Sequence, residues 1–246
     1  MRDAAALAAT ALLLVAGCSG GGGGRLQVYA ASSLTGVLQK LDPKAQFDFA
    51  GSDALAFQLE QGARADVYAS ASPKYPDRLY REKLVDRPRA FATNSLVLIV
   101  PRGNPGRVTG LGTLMLPRVK LVVGAVGVPV GDYARKLLAR FCRSIFQQPG
   151  RCPRARIVSN EQDVKGVVSK VALGETDAGF VYATDVRPAA GKVRAIPLPG
   201  FVEPTVRYEL AVVRKAKHRA AADRFVALVT GRRGRAALRA AGFGLP

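Results

Sequence analysis

The sequence predicts an α/β protein of two lobes, each a mostly parallel sheet flanked by helices, with a ligand cleft between the lobes. Three observations lead to this fold class. Short apolar runs alternate with helical patterns, as is typical of parallel sheets covered by helices. The alternation runs from residue 26 to about residue 92 and restarts after Asn94. The last strand and helices then return to the first lobe, so two segments cross between the lobes, near 92–95 and 203–208.

The chain begins with the pattern of an export signal. Arg2 supplies a minimal positive region, and residues 4–16 form an apolar stretch too short for a comfortable membrane span. The sequence Val15-Ala16-Gly17-Cys18 closes this stretch. It resembles the lipobox of bacterial lipoproteins, although an ordinary signal peptide with a chance cysteine is the alternative.

The lipobox resemblance implies that residues 1–17 are a lipoprotein signal peptide and that Cys18 carries the lipid. Residues 18–25 would then be the lipidated cysteine and a glycine-rich tether, with five consecutive glycines at 20–24. Such a tether spans on the order of 15 Å. We therefore expect an exported protein anchored to the cell membrane, facing the periplasm or the extracellular side.

The elements of the two lobes follow in order along the chain. Short apolar runs bounded by turn residues predict strands over 26–31, 46–50, 66–70, 96–100, 121–124, 156–158, 178–182, 194–197 and 206–213. Patterns of helical period predict helices over 35–41, 53–61, 75–82, 113–116, 132–141, 163–173, 220–230 and 234–241. This order assigns residues 26–93 plus 206–246 to lobe 1 and residues 94–205 to lobe 2.

The three cysteines fit an exported protein. Once Cys18 is assigned to the anchor, Cys142 and Cys152 remain as a pair ten positions apart. An oxidising compartment favours a disulfide between them, which would stabilise the fold by about 2–3 kcal/mol. A zinc site would need more ligands, and the single histidine, His218, is distant in sequence.

The formal net charge of +19 raises the question of a nucleic-acid partner. The basic residues, however, are spread along the chain without a dense cluster interleaved with aromatic residues. Together with the export signal, this distribution argues for a solvated basic surface and no nucleic-acid partner. A positive field can also steer a small anion towards a cleft.

Small or polar residues stand at four junctions where a predicted strand leads into a helix. Ser32 and Ser33 form the first junction, Ser52 follows Gly51 at the second, and segments 128–132 and 161–165 form the others. A serine there offers a hydroxyl beside the free N–H groups of a helix start. A lone serine would be an ordinary helix cap, but junctions gathered at one sheet edge make a socket for an anion.

These residues are similar to the periplasmic molybdate-binding proteins of ABC transporters. The resemblance runs from residue 26 to the C-terminus, on motifs at 30–35, 49–56, 62–71, 94–97, 128–133, 163–166 and 179–182. It implies a two-lobed periplasmic-binding-protein-like fold of type II that closes on one tetrahedral oxyanion. The ligand set that it implies comprises Ser33, Ser52, Val130, Val164 and Tyr182, with Ser32 as an additional candidate. The metal would be bound only as the molybdate oxyanion, through these residues.

The chemistry of such a site agrees with the resemblance. Molybdate is a dianion whose oxygens only accept hydrogen bonds, and charge-assisted bonds to it contribute roughly 1.5–3 kcal/mol each. Asp53 and Asp132 lie in the first turns of two of the helices, where a carboxylate suits the helix dipole but would repel the ligand. We therefore expect both to point outward as caps. Gly51 and Val130 stand where some family members carry serine or alanine.

The resemblance implies a monomeric, non-enzymatic lipoprotein that captures molybdate or tungstate, needs no cofactor, and delivers its ligand to an ABC permease. A receptor for sulfate or phosphate is the first alternative, although phosphate would need an acceptor for its own proton. A secreted enzyme is disfavoured because no Gly-x-Ser-x-Gly motif occurs and His218 is expected on the surface. An anion-sensing lipoprotein is a third alternative.

Overall fold

The computed structural model describes residues 24–146, 155–202 and 204–246. The predicted signal peptide, most of the tether, and both Cys18 and Cys152 lie outside these residues.

The described residues form strands and helices in the predicted alternation. The strands are β1 (Gln27–Ala31), β2 (Gln46–Ala50), β3 (Val67–Ser70), β4 (Arg89–Asn94), β5 (Leu96–Pro101), β6 (Lys120–Gly124), β7 (Arg156–Glu161), β8 (Ala178–Tyr182), β9 (Val193–Ile196) and β10 (Val206–Val212). The α-helices are α1 (Thr35–Leu41), α2 (Ser52–Glu60), α3 (Lys74–Arg81), α4 (Pro129–Phe146), α5 (Val164–Ala172), α6 (Ala183–Val186), α7 (Arg219–Thr230) and α8 (Arg232–Ala240). Short 3₁₀ turns cover Ser32–Leu34, Leu111–Met115, Arg187–Ala189 and Gly200–Val202.

The strands make two five-stranded sheets with the same design. The first sheet has the order β2-β1-β3-β10-β4, and the second has the order β7-β6-β8-β5-β9. In the first, β1 pairs in parallel with β2 and β3, whereas β10 runs antiparallel to β3 and β4. In the second, β6 pairs in parallel with β7 and β8, whereas β5 runs antiparallel to β8 and β9. Four strands of each sheet therefore run one way, which confirms the mostly parallel fold class.

The reversed strand of each sheet is the one that enters from the other lobe. The chain leaves the first sheet at the end of β4 and enters the second with β5, with only Ser95 between them. It returns after β9 to form β10 of the first sheet. Carboxyl ends of β1, β2, β6 and β7 consequently face a common cleft, and each leads into a helix or a helical turn there.

Several predictions of individual elements were wrong: α6 was not predicted, and β7 extends beyond residue 158 to Glu161. The strand β4 was missed, because its sequence from Arg89 to Asn94 mixes charged, polar and apolar residues without alternation. Helix α4 begins at Pro129 and not at Asp132, since proline has no N–H to leave unpaired and suits the first helical position.

Helices cover both faces of the first sheet and pack on the second. On the first sheet, α2 and α3 pack through Leu55, Leu59 and Leu79 around Tyr68, while α1, α7 and α8 cover the opposite face. On the second sheet, α4 and α5 pack on β6 and β8. Burial of each of these leucines stabilises the fold by about 1.5–3 kcal/mol. Within the described parts of the chain, no helix is both long and apolar enough to span a bilayer.

Candidate oxyanion-binding site

The six residues predicted to face an oxyanion line one cavity between the lobes. The cavity has a volume of about 210 Å³, including space open to solvent. Its lining comprises Ser32, Ser33, Ser52, Val130, Val164 and Tyr182, together with Ala31, Ala50, Gly51, Ala71, Val128, Pro129 and Asp163. A larger depression of about 670 Å³, between Arg25 and Phe225 on lobe 1, contains none of the predicted residues.

Ser52 is held as a donor towards the cavity. It is the first residue of α2, is fully buried, and its Oγ accepts a hydrogen bond from the N–H of Ala71 at 3.1 Å. The Tyr68 hydroxyl donates to the Ser52 carbonyl at 2.6 Å and fixes the backbone. Because a serine hydroxyl has one proton and its oxygen already accepts a bond, that proton remains for an acceptor in the cavity.

Ser33 lies in the 3₁₀ turn that follows β1. Its Oγ is 3.0 Å from the hydroxyl oxygen of Tyr208, on β10. Its neighbour Ser32 is 4% exposed, and the Ser32 carbonyl accepts from the Thr35 hydroxyl at 2.7 Å. The first lobe therefore supplies three hydroxyls beside two helix starts.

The second lobe contributes two helix N-termini. Pro129 occupies the first position of α4 and has no N–H, so Val130 carries the first N–H of that helix. Val164 is the first residue of α5, and the Asp163 carboxylate before it is already bonded to the N–H of Gly166 at 2.9 Å. The N–H groups of a first helical turn have no partner inside the helix, and they lie at its positive end. Both helix starts therefore offer donors to an anion.

The hydroxyl oxygen of Tyr182 is the atom of the cavity that points most clearly to a bound ligand. Its side chain is 2% exposed, and its hydroxyl oxygen is buried with no hydrogen-bond partner among the described residues. Burial, and then the nearby Tyr208, raises the pKa of Tyr182 well above its usual value, so the hydroxyl stays protonated. A buried hydroxyl without a partner costs about 1–3 kcal/mol. An acceptor bound in the cavity would remove that cost.

Asp53 and Asp132, the two carboxylates that would repel an anion if they faced it, do not line the cavity. Asp132 accepts from the N–H of Gly127 at 2.9 Å and from Lys74 Nζ at 3.1 Å. Burial raises the pKa of Asp53, and the charge of Asp132 adds to the increase. Neither carboxylate belongs to the cavity lining, which agrees with the expectation that they point away from a ligand. Both interact with backbone N–H groups at the starts of their helices, Asp132 with that of Gly127 and Asp53 with that of Ala54, although neither occupies the N-cap position. Gly51 is the residue that precedes α2, and α4 begins three positions before Asp132.

The lobes touch each other around the cavity. The Tyr75 hydroxyl donates to the Gly127 carbonyl, and Lys165 Nζ donates to the Thr35 hydroxyl at 2.6 Å. Lys74, on lobe 1, pairs with Asp132, on lobe 2. Gly51 approaches the second lobe so closely that a Cβ there would lie 2.4 Å from the Gln162 carbonyl oxygen. Glycine at position 51 is therefore a condition for this closed contact.

One half-buried carboxyl near the site, that of Asp185, was not predicted. Asp185 Oδ2 accepts from the Tyr182 N–H at 3.2 Å. Burial raises the pKa of Asp185 to about 7, and its bond to that N–H and the charge of Lys165 lower it only in part. Nothing in the sequence separates Asp185 from an ordinary helix-start aspartate, because the signal is its depth in the fold.

Two further sequence predictions concern residues outside the cavity. His218 is not a free surface residue, since its Nδ1 lies 2.9 Å from Oδ2 of the buried Asp66 and its side chain is 19% exposed. Cys142 is disulfide-bonded. Its predicted partner, Cys152, is outside the described residues, so that pairing remains a prediction. Among the described residues, no group of three or more His, Cys, Asp or Glu side chains could hold a metal ion.

Comparisons with known proteins agree with this architecture. The family model for bacterial extracellular solute-binding proteins matches residues 26–244. The molybdate-binding protein ModA of Mycobacterium tuberculosis is 34% identical over 229 residues, covering 89% of this chain and 84% of the relative. The ModA protein of Escherichia coli is 30% identical over 208 residues, covering 77% of each chain. The periplasmic molybdate-binding protein of Azotobacter vinelandii superposes with a TM-score of 0.75 at 23% identity, over 90% of this chain and all of that one.

Proposed function

Because this chain belongs to the bacterial extracellular solute-binding proteins, among relatives named for molybdate binding, we propose that it captures molybdate for an ABC transporter. It works outside the cytoplasm and presents the anion to a permease in the membrane. Ser33, Ser52, Tyr182 and the N–H groups of Val130 and Val164 hold the anion. Cys18 anchors the protein by a lipid, and the protein acts as a monomer.

The observation that carries this proposal is the buried, unpartnered hydroxyl of Tyr182 in a cavity that also presents serine hydroxyls and helix starts. All of these groups are neutral donors. A fully deprotonated tetrahedral anion has only acceptors, so it matches them without a counter-ion. Tungstate has the same charge and shape, and we propose that it binds the same donors.

Sulfate and phosphate are the competing ligands within the same chemistry. Hydrogen phosphate carries a proton that needs an acceptor in the site. The proposed ligand groups are all donors, so they favour an anion without a proton. Asp163 also lines the cavity: its Oδ1 accepts from the Gly166 N–H, and its other oxygen is the acceptor that a phosphate proton would need, so a parallel titration decides between the ligands.

Calorimetric titration with molybdate, sulfate and phosphate in parallel tests the proposal. We expect molybdate to bind at micromolar concentration or below and to raise the melting temperature, since a ligand that binds only the folded state stabilises it. No heat and no thermal shift with molybdate would contradict the proposal. Tighter binding of sulfate or phosphate would reassign the ligand.

The Tyr182→Phe variant sharpens this test. Its loss of a donor should weaken molybdate binding by about tenfold or more. The ligand-free protein should lose no stability, because the change removes an unpaired buried hydroxyl. Tyr80→Phe is the matched control, since Tyr80 lies on the outer side of α3 and is 40% exposed.

A further inference from the structure

Tyr208 lies directly behind the cavity and contacts functional residues of both lobes. It is fully buried on β10, and its hydroxyl is 3.0 Å from Ser33 Oγ. Its ring meets the ring of Tyr182 edge-on, with the centroids 5.8 Å apart and the planes at 64°. Tyr208 does not itself line the cavity. It therefore cannot hold the anion directly, but it touches two residues proposed to do so.

The hydrogen bonds of Asn94 determine to which partner the Tyr208 hydroxyl donates. Asn94 Oδ1 accepts from the N–H of Ser95 at 2.9 Å, which fixes the orientation of the amide. The Nδ2 group of Asn94 consequently faces the hydroxyls of Thr184, at 2.8 Å, and Tyr208, at 3.4 Å. An amide NH₂ only donates, so the Tyr208 oxygen accepts and keeps its single proton for Ser33.

The orientation of the Tyr208 hydroxyl in turn determines that of the Ser33 hydroxyl. Burial raises the pKa of Tyr208 well above its usual value, and the charge of Asp185 adds to the increase, so the phenol stays protonated. Because the Tyr208 oxygen accepts from Asn94, Ser33 Oγ accepts a hydrogen bond from the Tyr208 hydroxyl and keeps its own proton for the cavity. Without Tyr208, the Ser33 hydroxyl could turn a lone pair to the cavity and accept a hydrogen bond from the ligand instead.

We propose that Tyr208 is a positioning residue that fixes Ser33 as a hydrogen-bond donor and so selects fully deprotonated oxyanions over protonated ones. This inference rests on the proposed function and adds a selectivity mechanism to it. The chain of donors runs from Asn94, at the end of β4, through Tyr208 to Ser33. Asn94 also bonds Thr184, in α6 of the second lobe, so the direction of the chain depends on contact between the lobes.

The strand that pairs with Tyr208 carries a β-bulge beside it. The pairing of β10 with β4 shifts between Tyr208, opposite Ala92, and Glu209, opposite Ala90, so Phe91 is an extra residue on β4. Such bulges bend a strand and redirect a side chain, and they are common next to functional sites. Phe91 and Phe243 then hold the Tyr208 ring by edge contacts, with centroid distances of 6.2 and 5.4 Å.

A double-mutant cycle on the full mature chain tests the inference. Tyr208→Phe removes one oxygen and leaves the ring packing intact. We expect it to weaken molybdate binding by about tenfold, in line with one hydrogen bond to a donor of a charged ligand. In the Ser33→Ala background it should change the affinity by less than about twofold, because its effect acts through Ser33.

Selectivity is the readout that a purely structural role would not move. Hydrogen phosphate should lose less affinity than molybdate in Tyr208→Phe, since Ser33 is then free to accept its proton. Tyr29→Phe, at a buried tyrosine of β1 outside the cavity lining, is the control and should leave both affinities unchanged. Melting temperatures of the ligand-free variants check that each is folded.

Three results would overturn the inference. They are an unchanged affinity in Tyr208→Phe, an equal loss in the wild-type and Ser33→Ala backgrounds, and an unchanged ratio of molybdate to phosphate affinity. A wild-type protein that binds sulfate and not molybdate contradicts the proposed ligand alone. In that case the same cycle with sulfate still tests Tyr208.

Discussion

At the scale of single residues, the candidate site depends on which hydroxyl protons are left over after internal hydrogen bonds are made. Ser52 accepts from the N–H of Ala71, and Ser33 is paired with Tyr208, so each is oriented by the protein before any ligand arrives. Preorganised donors of this kind avoid the free-energy cost of reorientation on binding.

Ser52→Ala tests the first of these hydroxyls. We expect the molybdate affinity to fall by about 10- to 100-fold, since the change removes a charge-assisted bond of roughly 1.5–3 kcal/mol. Calorimetry measures the effect. Ser144→Ala, on the exposed side of α4, is the control. An affinity equal to that of the wild type would exclude Ser52 from the ligand set.

Asp185→Asn tests the half-buried carboxyl behind Tyr182. The pKa of Asp185 in the folded protein, about 7, lies above its ordinary value of 3.8, so the folded state holds a proton that the unfolded state releases. Stability should therefore fall as the pH rises from about 4 to about 7 and level off above that, by up to about 4 kcal/mol. The variant keeps an acceptor for the Tyr182 N–H and should lack this component.

Urea unfolding of the wild type and Asp185→Asn between pH 5 and pH 8 measures that difference. We expect the variant to gain stability over the wild type as the pH rises. It should also bind molybdate more tightly at pH 8, because an ionised Asp185 would repel the dianion. Parallel pH profiles of the two proteins would contradict the raised pKa.

The part of the site that lies at junctions between strands and helices could be predicted from the sequence. Ser33, Ser52, Val130, Val164 and Tyr182 all stand where a strand meets a helix or ends, and that feature is readable without a structure. Tyr208 and Asp185 could not be predicted. The role of Tyr208 depends on Ser33 and Asn94, which are remote in the chain, and the raised pKa of Asp185 depends on desolvation in the folded protein.

At the scale of elements, Asp66 joins three parts of the first lobe at the start of β3. Its carboxylate accepts from the N–H of Gln27, the N–H of His218 and the His218 ring, each at 2.9 Å. Burial alone would raise the pKa of Asp66, but these bonds together lower it below its usual value. The carboxylate therefore ties β1 and the start of α7 to β3.

Asp66→Asn should destabilise the ligand-free protein by about 2–4 kcal/mol, because one amide oxygen cannot accept all three bonds. The lowered pKa gives stability that is present above the ordinary aspartate pKa and is lost as the pH falls through the folded value. The variant should thus lose less stability than the wild type on acidification. Thermal melts from pH 7 to pH 3 measure this, with the exposed Asp223→Asn as control. A variant as stable as the wild type at pH 7 would contradict the account.

Strands and helices were predicted correctly where the hydrophobic pattern is strong. They were missed where contacts between distant parts of the chain determine the secondary structure. The buried run of β5 and the amphipathic pattern of α7 are plain in the sequence. The strand β4 forms because β10 returns to pair with it, and no local pattern in Arg89–Asn94 indicates that pairing. The reversed direction of β5 and β10 likewise follows from the crossing between lobes.

At the scale of the whole molecule, the proposed function requires that the lobes close around the anion. Gly51 lies where the two lobes meet, and its backbone angles, φ −61° and ψ 137°, suit any residue. Gly51→Ala therefore adds a clash with the Gln162 carbonyl oxygen of the second lobe, and a close approach of 2.7 Å to Asp53 Oδ1 of its own lobe, without backbone strain. We expect the lobes to be held apart and the molybdate affinity to fall by about 5- to 100-fold, matching an overpacking cost of about 1–3 kcal/mol.

Calorimetry and small-angle scattering measure the two effects of Gly51→Ala. The scattering should show a larger radius of gyration for the variant at saturating molybdate than for the wild type. Gly36→Ala is the control, because a Cβ at position 36 meets nothing within 4 Å. Wild-type affinity and size in Gly51→Ala would mean that closure does not require this contact.

The central claim is that neutral donors from both lobes hold a molybdate dianion in the cavity between them. The most direct measurement is a crystal structure with molybdate, in which anomalous scattering locates the molybdenum. We expect one peak in the cavity, with the anion oxygens within hydrogen-bond distance of Ser33 Oγ, Ser52 Oγ, the Tyr182 hydroxyl and the N–H groups of Val130 and Val164. A peak elsewhere, or an anion held by lysine or arginine side chains, would contradict it.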